Sequence, residues 1–161
     1  CRNGKLAMTS STPGKTKVVN HFLINDSWYL VDLPGYGFAH TSKTMRENWS
    51  KMIRDFFVHR ETLVLVFVLV DSRIPPQQID IDFVNGLGEL GMPFSIIFTK
   101  SDKVTAGKAS SNMEQFKQKL LQNWEELPPC FVSSALTGKG REDILNYIEE
   151  IQNNNNKQLA L

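Results

Sequence analysis

Several short stretches of this chain carry residue types that could bind a phosphorylated ligand and read its base. Asp32-Leu33-Pro34-Gly35 follows directly on the apolar run Trp28 to Val31. An aspartate at a strand end can hold a magnesium ion through water, and a glycine three residues on lets a backbone N–H approach a γ-phosphate. The plainer alternative is a strand followed by a Pro-Gly turn. Thr99-Lys100-Ser101-Asp102 follows the run Phe94 to Phe98. The Asp102 carboxylate can accept two N–H groups from the Watson–Crick edge of guanine, and the stem of Lys100 can lie along the face of the base. Adenine presents an acceptor at N1, so Asp102 argues against an ATP-linked enzyme.

Ser133-Ser134-Ala135 closes the short run Phe131 to Val132 and leads into Thr137-Gly138-Lys139-Gly140. Small residues there allow backbone N–H groups to reach the guanine carbonyl. Ser/Gly loops before helices are common, and this one gains weight from its order and spacing after Asp102. Pro13-Gly14-Lys15-Thr16 ends in the Gly-Lys-Thr of a phosphate loop, but the G-x-x-x-x-G-K-[ST] spacing would need a glycine where Thr9 stands. A helix should also follow, yet Lys17 to Ile24 reads as a strand. These residues fit a first switch segment instead, with the Thr16 hydroxyl placed to ligate magnesium when a γ-phosphate is present.

The elements that must position these residues alternate along the chain. Lys17 to Ile24 and Trp28 to Leu33 predict an antiparallel hairpin through Asn25, Asp26 and Ser27. Leu63 to Val70, Phe94 to Phe98 and Phe131 to Val132 predict strands, the first buried on both faces. Helical patterns cover roughly Thr44 to Phe57, Gln77 to Leu90, Ser111 to Asn123 and Arg141 to Ile151; the last places Ile144, Leu145, Ile148 and Ile151 at helical spacing. Such alternation predicts a three-layer α/β fold: a mostly parallel sheet with one antiparallel strand and helices on both faces. Ligands bind outside the carboxyl ends of the strands in such sheets, which is where the chemical residues fall.

Bulk properties set the bounds. The 161 residues are one domain's worth, and 41% hydrophobic with 22% charged residues suits a globular protein. A net charge of +1 excludes holding nucleic acid by gross positive charge. Cys1 and Cys130 read as free thiols of a reducing compartment. The longest apolar run, Leu63 to Val70, is far below the about 20 residues a bilayer span needs. Asn153 to Asn156 reads as the start of a polar C-terminal tail over residues 153–161, with residues 1–152 forming the domain. The chain starts with Cys, so a preceding segment, with or without a targeting signal, is expected.

Other residues have plainer readings. His21 is a strand-pairing residue, and His40 and His59 have no metal-ligand spacing. Trp49, Phe56 and Phe57 fit a helix core. Lys43, Arg46, Lys51 and Arg54 make a basic helix face, usually solvated, that would suit contact with RNA after the second switch.

Together the motifs resemble the EngB-type GTPases, ribosome-assembly factors of bacteria and organelles within the translation-factor-like GTPase superfamily. The resemblance runs from about Lys5 to Ile151. It rests on Thr12 to Thr16, Asn20-His21-Phe22, Trp28 to Gly37, Thr99 to Asp102 and Ser133 to Ala135. Asp32-Leu33-Pro34-Gly35-Tyr36-Gly37 is its most specific piece. Val70-Asp71-Ser72-Arg73-Ile74-Pro75-Pro76 is also family-like and is expected to begin a helix.

The resemblance implies binding of GTP and GDP by Gly14, Lys15, Thr16, Lys17, Val18, Asp32, Leu33, Pro34, Gly35, Thr99, Lys100, Ser101, Asp102, Val132, Ser133 and Ser134. Magnesium would be held by Thr16 and, through water, by Asp32. Slow GTP hydrolysis, docking of a monomer on a large ribosomal subunit precursor (rRNA and ribosomal proteins), and a link to cell division and septation in bacterial relatives are implied as well. Location would be the cytoplasm in a bacterium, or the chloroplast or mitochondrion for a nuclear-encoded relative.

The family's phosphate loop and the strand leading into it are expected just upstream of Cys1. Residues 1–161 alone are therefore expected to show no measurable GTP binding, to be inactive and to be prone to aggregate. Tyr36 stands where Ras-like enzymes carry a water-orienting Gln, so the catalytic water needs another group, a monovalent cation or a partner. The competing reading is a nucleotide-free scaffold that binds a ribosomal partner.

Overall fold

A computed structural model describes residues 19–36, 54–60 and 62–159, with side chains as far as residue 155. The expected switch residues Gly14 to Val18, the residues Trp49, His40, Lys43, Arg46 and Lys51, and most of the helix expected over 44–57 lie outside those residues. The chain divides into two compact units, Cys1–His59 and Arg60–Leu161.

In the first unit, β1 (Asn20–Ile24) and β2 (Trp28–Asp32) form the expected antiparallel hairpin, with Asn20 opposite Asp32 and Ile24 opposite Trp28. Asn25 and Asp26 both have left-handed backbone (φ 50° and 51°), and the Ser27 N–H donates to the Ile24 carbonyl at 3.0 Å. Short polar side chains tolerate that region, which is why this pair can turn the chain. His21 pairs with Val31 and sets its ring edge-on to Tyr29. Residues 54–58 are helical, with Phe57 buried and Arg54 exposed.

The second unit carries the parallel sheet. β3 (Val66–Asp71), β4 (Phe94–Thr99) and β5 (Cys130–Val132) lie in that order, with Val66 opposite Phe94 and Phe98 opposite Val132. Helix α1 (Gln78–Glu89) crosses from β3 to β4, α2 (Ala106–Leu120) crosses from β4 to β5, and α3 (Arg141–Leu159) follows β5.

The side chains show which helix covers which face. Phe98 meets Phe116 of α2 edge-on, and Phe94 meets Trp124, whose indole N–H donates to Asn85 of α1 at 2.8 Å. On the opposite face, Tyr147 of α3 meets Phe67 edge-on and Phe131 at a tilt, and accepts a 3.3 Å hydrogen bond from Ser95. Ile96, Phe98, Val84, Leu87, Phe116 and Leu120 form the centre of the core. Burying each such side chain contributes about 1.5–3 kcal/mol.

Several expected boundaries shift. β3 begins at Val66, not Leu63, and it is not buried on both faces, since Leu69 is 60% exposed while Val66, Val68 and Val70 are buried. Among the described residues β3 pairs only with β4, at one edge of the three strands. The segment after it turns at 71–74 and runs on to 77 before α1 begins at Gln78. Helix α2 starts at Ala106, five residues before the expected Ser111, because the Thr105 hydroxyl accepts the Lys108 N–H and caps it. Helix α3 runs on to Leu159, so Asn153 to Asn156 lie within it, Asn153 and Asn154 exposed.

Candidate functional site

The carboxyl ends of β3, β4 and β5 are tied to one another by a run of short hydrogen bonds. The Ser72 N–H and hydroxyl both donate to the Thr99 carbonyl, at 3.1 and 2.7 Å, and the Thr99 hydroxyl donates back to Val70 at 3.2 Å. On the other side, the Ser133 N–H donates to Phe98 at 2.8 Å and the Ser101 N–H to Ser133 at 3.2 Å. The Thr99–Asp102 loop is therefore held between its neighbours, and Asn112 of α2 fixes the segment after β3 by donating to the Ser72 carbonyl at 2.9 Å.

Two of the predicted motifs converge here. Ser134, buried to 3% exposure, donates its hydroxyl proton to Oδ1 of Asp102 at 2.6 Å. The Ser134 Oγ itself accepts the Thr137 N–H at 3.1 Å, which leaves its proton directed at the carboxylate. The Ser134 hydrogen bond, helped by the charge of Lys103, holds the Asp102 carboxyl below its ordinary pKa. Asp102 is exposed, and a carboxylate offers about four lone-pair sites. One is taken by Ser134, so acceptor capacity remains for two N–H groups.

Of the three backbone N–H groups in Ser133-Ser134-Ala135, those of Ser133 and Ser134 bond within the protein. Both N–H groups are already used, by Phe98 and by Lys139 at 3.1 Å. The Ala135 N–H, by contrast, meets no acceptor among the described residues, and Ala135 is exposed. The Leu136 N–H likewise meets no acceptor among the described residues. The loop can double back so tightly because Gly138 and Gly140 have positive φ (77° and 72°). A Cβ at Gly140 would collide with the carbonyl of Val132.

Lys100 adopts left-handed backbone, φ 60° and ψ 31°. Such a conformation costs a residue with a Cβ about 1–3 kcal/mol, and it persists where surrounding bonds over-determine it. Its ammonium lies 2.8 Å from Oδ2 of Asp71, at the end of β3. Arg73 grips the same carboxylate, Nε at 2.9 and 3.1 Å and Nη2 at 2.7 Å. The Arg73 side chain, with Lys100 adding to it against a partial burial cost, holds the Asp71 carboxyl well below the usual range. Sequence reasoning gave Asp71 and Arg73 no role. The available signal was position: Asp71, like Asp32 and Asp102, is an acidic residue at the carboxyl end of an apolar run.

On the first unit, Asp32 ends β2 and is exposed, Pro34 is buried, and Gly35 is exposed with open space where a Cβ would stand. Among the described residues no three acidic, His or Cys side chains gather to hold a metal. Magnesium beside a nucleotide needs only one or two protein oxygens, with phosphates and water completing the shell. One exposed carboxylate at Asp32 fits that donor set. His59 uses its Nδ1 on the Asp55 carbonyl at 2.9 Å. Cys130 is a free thiol raised in pKa by burial.

Known proteins are similar to this chain over most of its length. Residues 2–100 match the family described as 50S ribosome-binding GTPase. The GTP-binding protein EngB of Phocaeicola vulgatus is 56% identical over 147 residues, covering 91% of this chain and 74% of that protein. This chain belongs to the EngB family of GTPases. EngB of Porphyromonas gingivalis is 51% identical over 155 residues, with 96% of the chain and 75% of that protein covered.

Among solved structures, the translation elongation factor SelB of Methanococcus maripaludis superposes with a TM-score of 0.61 at 21% identity. That match covers 84% of this chain and 28% of the elongation factor. The cytosolic domain of the T. maritima FeoB iron transporter gives 0.52 at 20% identity, covering 83% of this chain and 49% of that one. These likenesses show the P-loop GTPase fold expected from the sequence. No helix among the described residues is long and apolar enough to cross a membrane.

Proposed function

We propose that this GTPase reads guanine through Asp102 and acts as a GTP-dependent switch in assembly of the large ribosomal subunit. The observation that carries the base assignment is the 2.6 Å bond from Ser134 to Asp102, which orients and keeps ionised a carboxylate that still has room for two donors. Asp102 accepts the N1–H and exocyclic N2–H of guanine, and the Ala135 N–H donates to the base carbonyl. The stem of Lys100 lies along the base face, while Thr99, Ser101, Val132 and Ser133 frame it through their backbone.

Asp32, Leu33, Pro34 and Gly35 are assigned to the γ-phosphate and its magnesium ion, with Gly14, Lys15, Thr16, Lys17 and Val18 as the other switch. Asp32 would hold magnesium through water. The ion, when bound, neutralises charge on the phosphate oxygens. Gly35, free of a Cβ, brings a backbone N–H to the γ-phosphate, so its segment is ordered in the GTP state and released after hydrolysis.

The partner is a large-subunit precursor with its rRNA and proteins, a reading supported by the 50S ribosome-binding description of the matched family. Action as a monomer, magnesium dependence, the link to cell division, and a location in the cytoplasm of a bacterium, or in the chloroplast or mitochondrion for a nuclear-encoded relative, belong to the same proposal. Cosedimentation of the full-length protein with large-subunit precursors tests it. Retention with a non-hydrolysable GTP analogue and release with GDP are expected. Equal retention with both nucleotides and with none would favour a scaffold.

A further inference from the structure

The Asp71–Arg73 pair has no place in the base-reading scheme above, yet it holds the one side chain of that scheme that is longest and most flexible. Asp71 is fixed from several directions. Its Oδ1 accepts the Arg73 backbone N–H at 3.0 Å and Nε at 2.9 Å, and its Oδ2 accepts Nη2 at 2.7 Å. It sits in register with Thr99 across the β3–β4 pairing, and the next residue, Ser72, is tied to the Thr99 carbonyl. The carboxylate is thus a rigid acceptor, with Oδ2 turned to the Lys100 ammonium at 2.8 Å. Lys100 itself is about half exposed and has no other ion pair among the described residues.

We propose that Asp71 is a positioning residue of the guanine site, anchoring the Lys100 ammonium so that the lysine stem is held ready as the apolar surface for the base. This rests on the reading that Lys100 lies along guanine. A free lysine stem samples many rotamers, and ordering it on binding costs affinity. An anchored stem has met that cost before the nucleotide arrives. Arg73 keeps the anchor in one rotamer and, by its charge, keeps it ionised. The left-handed backbone of Lys100 agrees with this, since it aims the side chain back towards β3 and is sustained by bonds on both sides of the loop.

Asp71 orients the stacking surface and does not touch the base, so removing it should weaken guanine nucleotides without changing which base is preferred. A double-mutant cycle in the full-length protein tests this, with a fluorescent GDP analogue as the probe and GTP and xanthosine triphosphate as competitors. Asp71→Asn is expected to weaken GDP by about 5-fold, the upper end for a partly exposed ion pair, with the preference for GTP over xanthosine triphosphate unchanged. Lys100→Met keeps most of the stem and removes the ammonium, so it should lose a similar factor. In the Lys100→Met background, Asp71→Asn should then cost nothing more.

An equal loss from Asp71→Asn in both backgrounds would overturn the proposal and make the residue structural. No loss in the wild-type background would overturn it too. Should Asp71→Asn fail to fold, Lys100→Met decides alone: an affinity equal to wild type refutes the anchor, and the expected loss supports it. Failure of the base reading shows separately, as an Asp102→Asn variant that still prefers GTP.

Discussion

Ser134 donates its hydroxyl proton to Asp102 across 2.6 Å, although the two residues are 32 positions apart and end different strands. The bond closes the gap between the loop after β4 and the loop after β5. It makes two polar stretches, each ordinary alone, into one acceptor surface of fixed orientation.

Removing that hydroxyl should loosen the acceptor without removing it. In Ser134→Ala the Asp102 carboxylate loses its orienting donor and its pKa rises towards the ordinary value. Guanine-nucleotide affinity is expected to fall roughly 3- to 10-fold, the range of a single net hydrogen bond. Ser134→Thr keeps the hydroxyl and should recover part of the loss. Titration with a fluorescent GDP analogue measures both.

Gly140 should tolerate no side chain. Its φ of 72° disfavours any Cβ, and the added atom would meet the Val132 carbonyl at the end of β5. Gly140→Ala is expected to destabilise the protein by about 2–4 kcal/mol, combining left-handed strain with a backbone collision. Urea unfolding followed by far-UV circular dichroism checks the shift in midpoint. Gly86→Ala is the control, since its Cβ meets nothing within 4 Å and it sits in α1.

The Asp71 carboxyl gives the protein a pH dependence of stability. Its pKa is lower folded than unfolded, so the folded state gains from its ionisation above the ordinary value of 3.8. That gain is lost as pH falls below 3.8 towards the lowered folded pKa. Asp71→Asn should therefore be less stable than wild type at neutral pH, with the difference shrinking as pH falls below about 4. Thermal melts from pH 7 down to pH 3 would show the two curves converging.

Much of this arrangement is legible in the residues, and the parts that are not have definite causes. β4 and the Asp102 loop stand out because Phe94 to Phe98 is apolar but for Ser95 and is fully buried, so the charged residues after it mark a strand end. β3 is equally apolar, but an unbroken apolar run cannot show which face is covered, and Leu69 proves exposed. The start of α2 is hidden because Gly107, Ser110 and Ser111 are weak helix formers. Thr105 supplies the cap, and Ala109, Asn112, Phe116 and Leu120 supply the buried face.

The asparagine run resembles a tail by composition. It stays helical where Ile151, Asn154 and Asn155 continue the face that begins at Tyr147, lining a groove with Leu63, Val64 and Phe94. The Ser134–Asp102 bond and the Asp71–Lys100 pair could not be read from spacing. Both join strand ends that only the sheet order brings together.

The central claim is that Asp102 reads guanine, and one exchange of base tests it most directly. Asp102→Asn in the full-length protein keeps an oxygen for N1–H but sets its NH₂ against the exocyclic NH₂ of guanine, donor facing donor. Xanthine has a carbonyl at that place, which the asparagine NH₂ can donate to. Competition of GTP and xanthosine triphosphate against one fluorescent analogue gives both affinities on the same protein. GTP should weaken by roughly 30- to 1000-fold while xanthosine triphosphate improves. An Asp102→Asn protein that binds GTP as tightly as before, and still prefers it, would contradict the account.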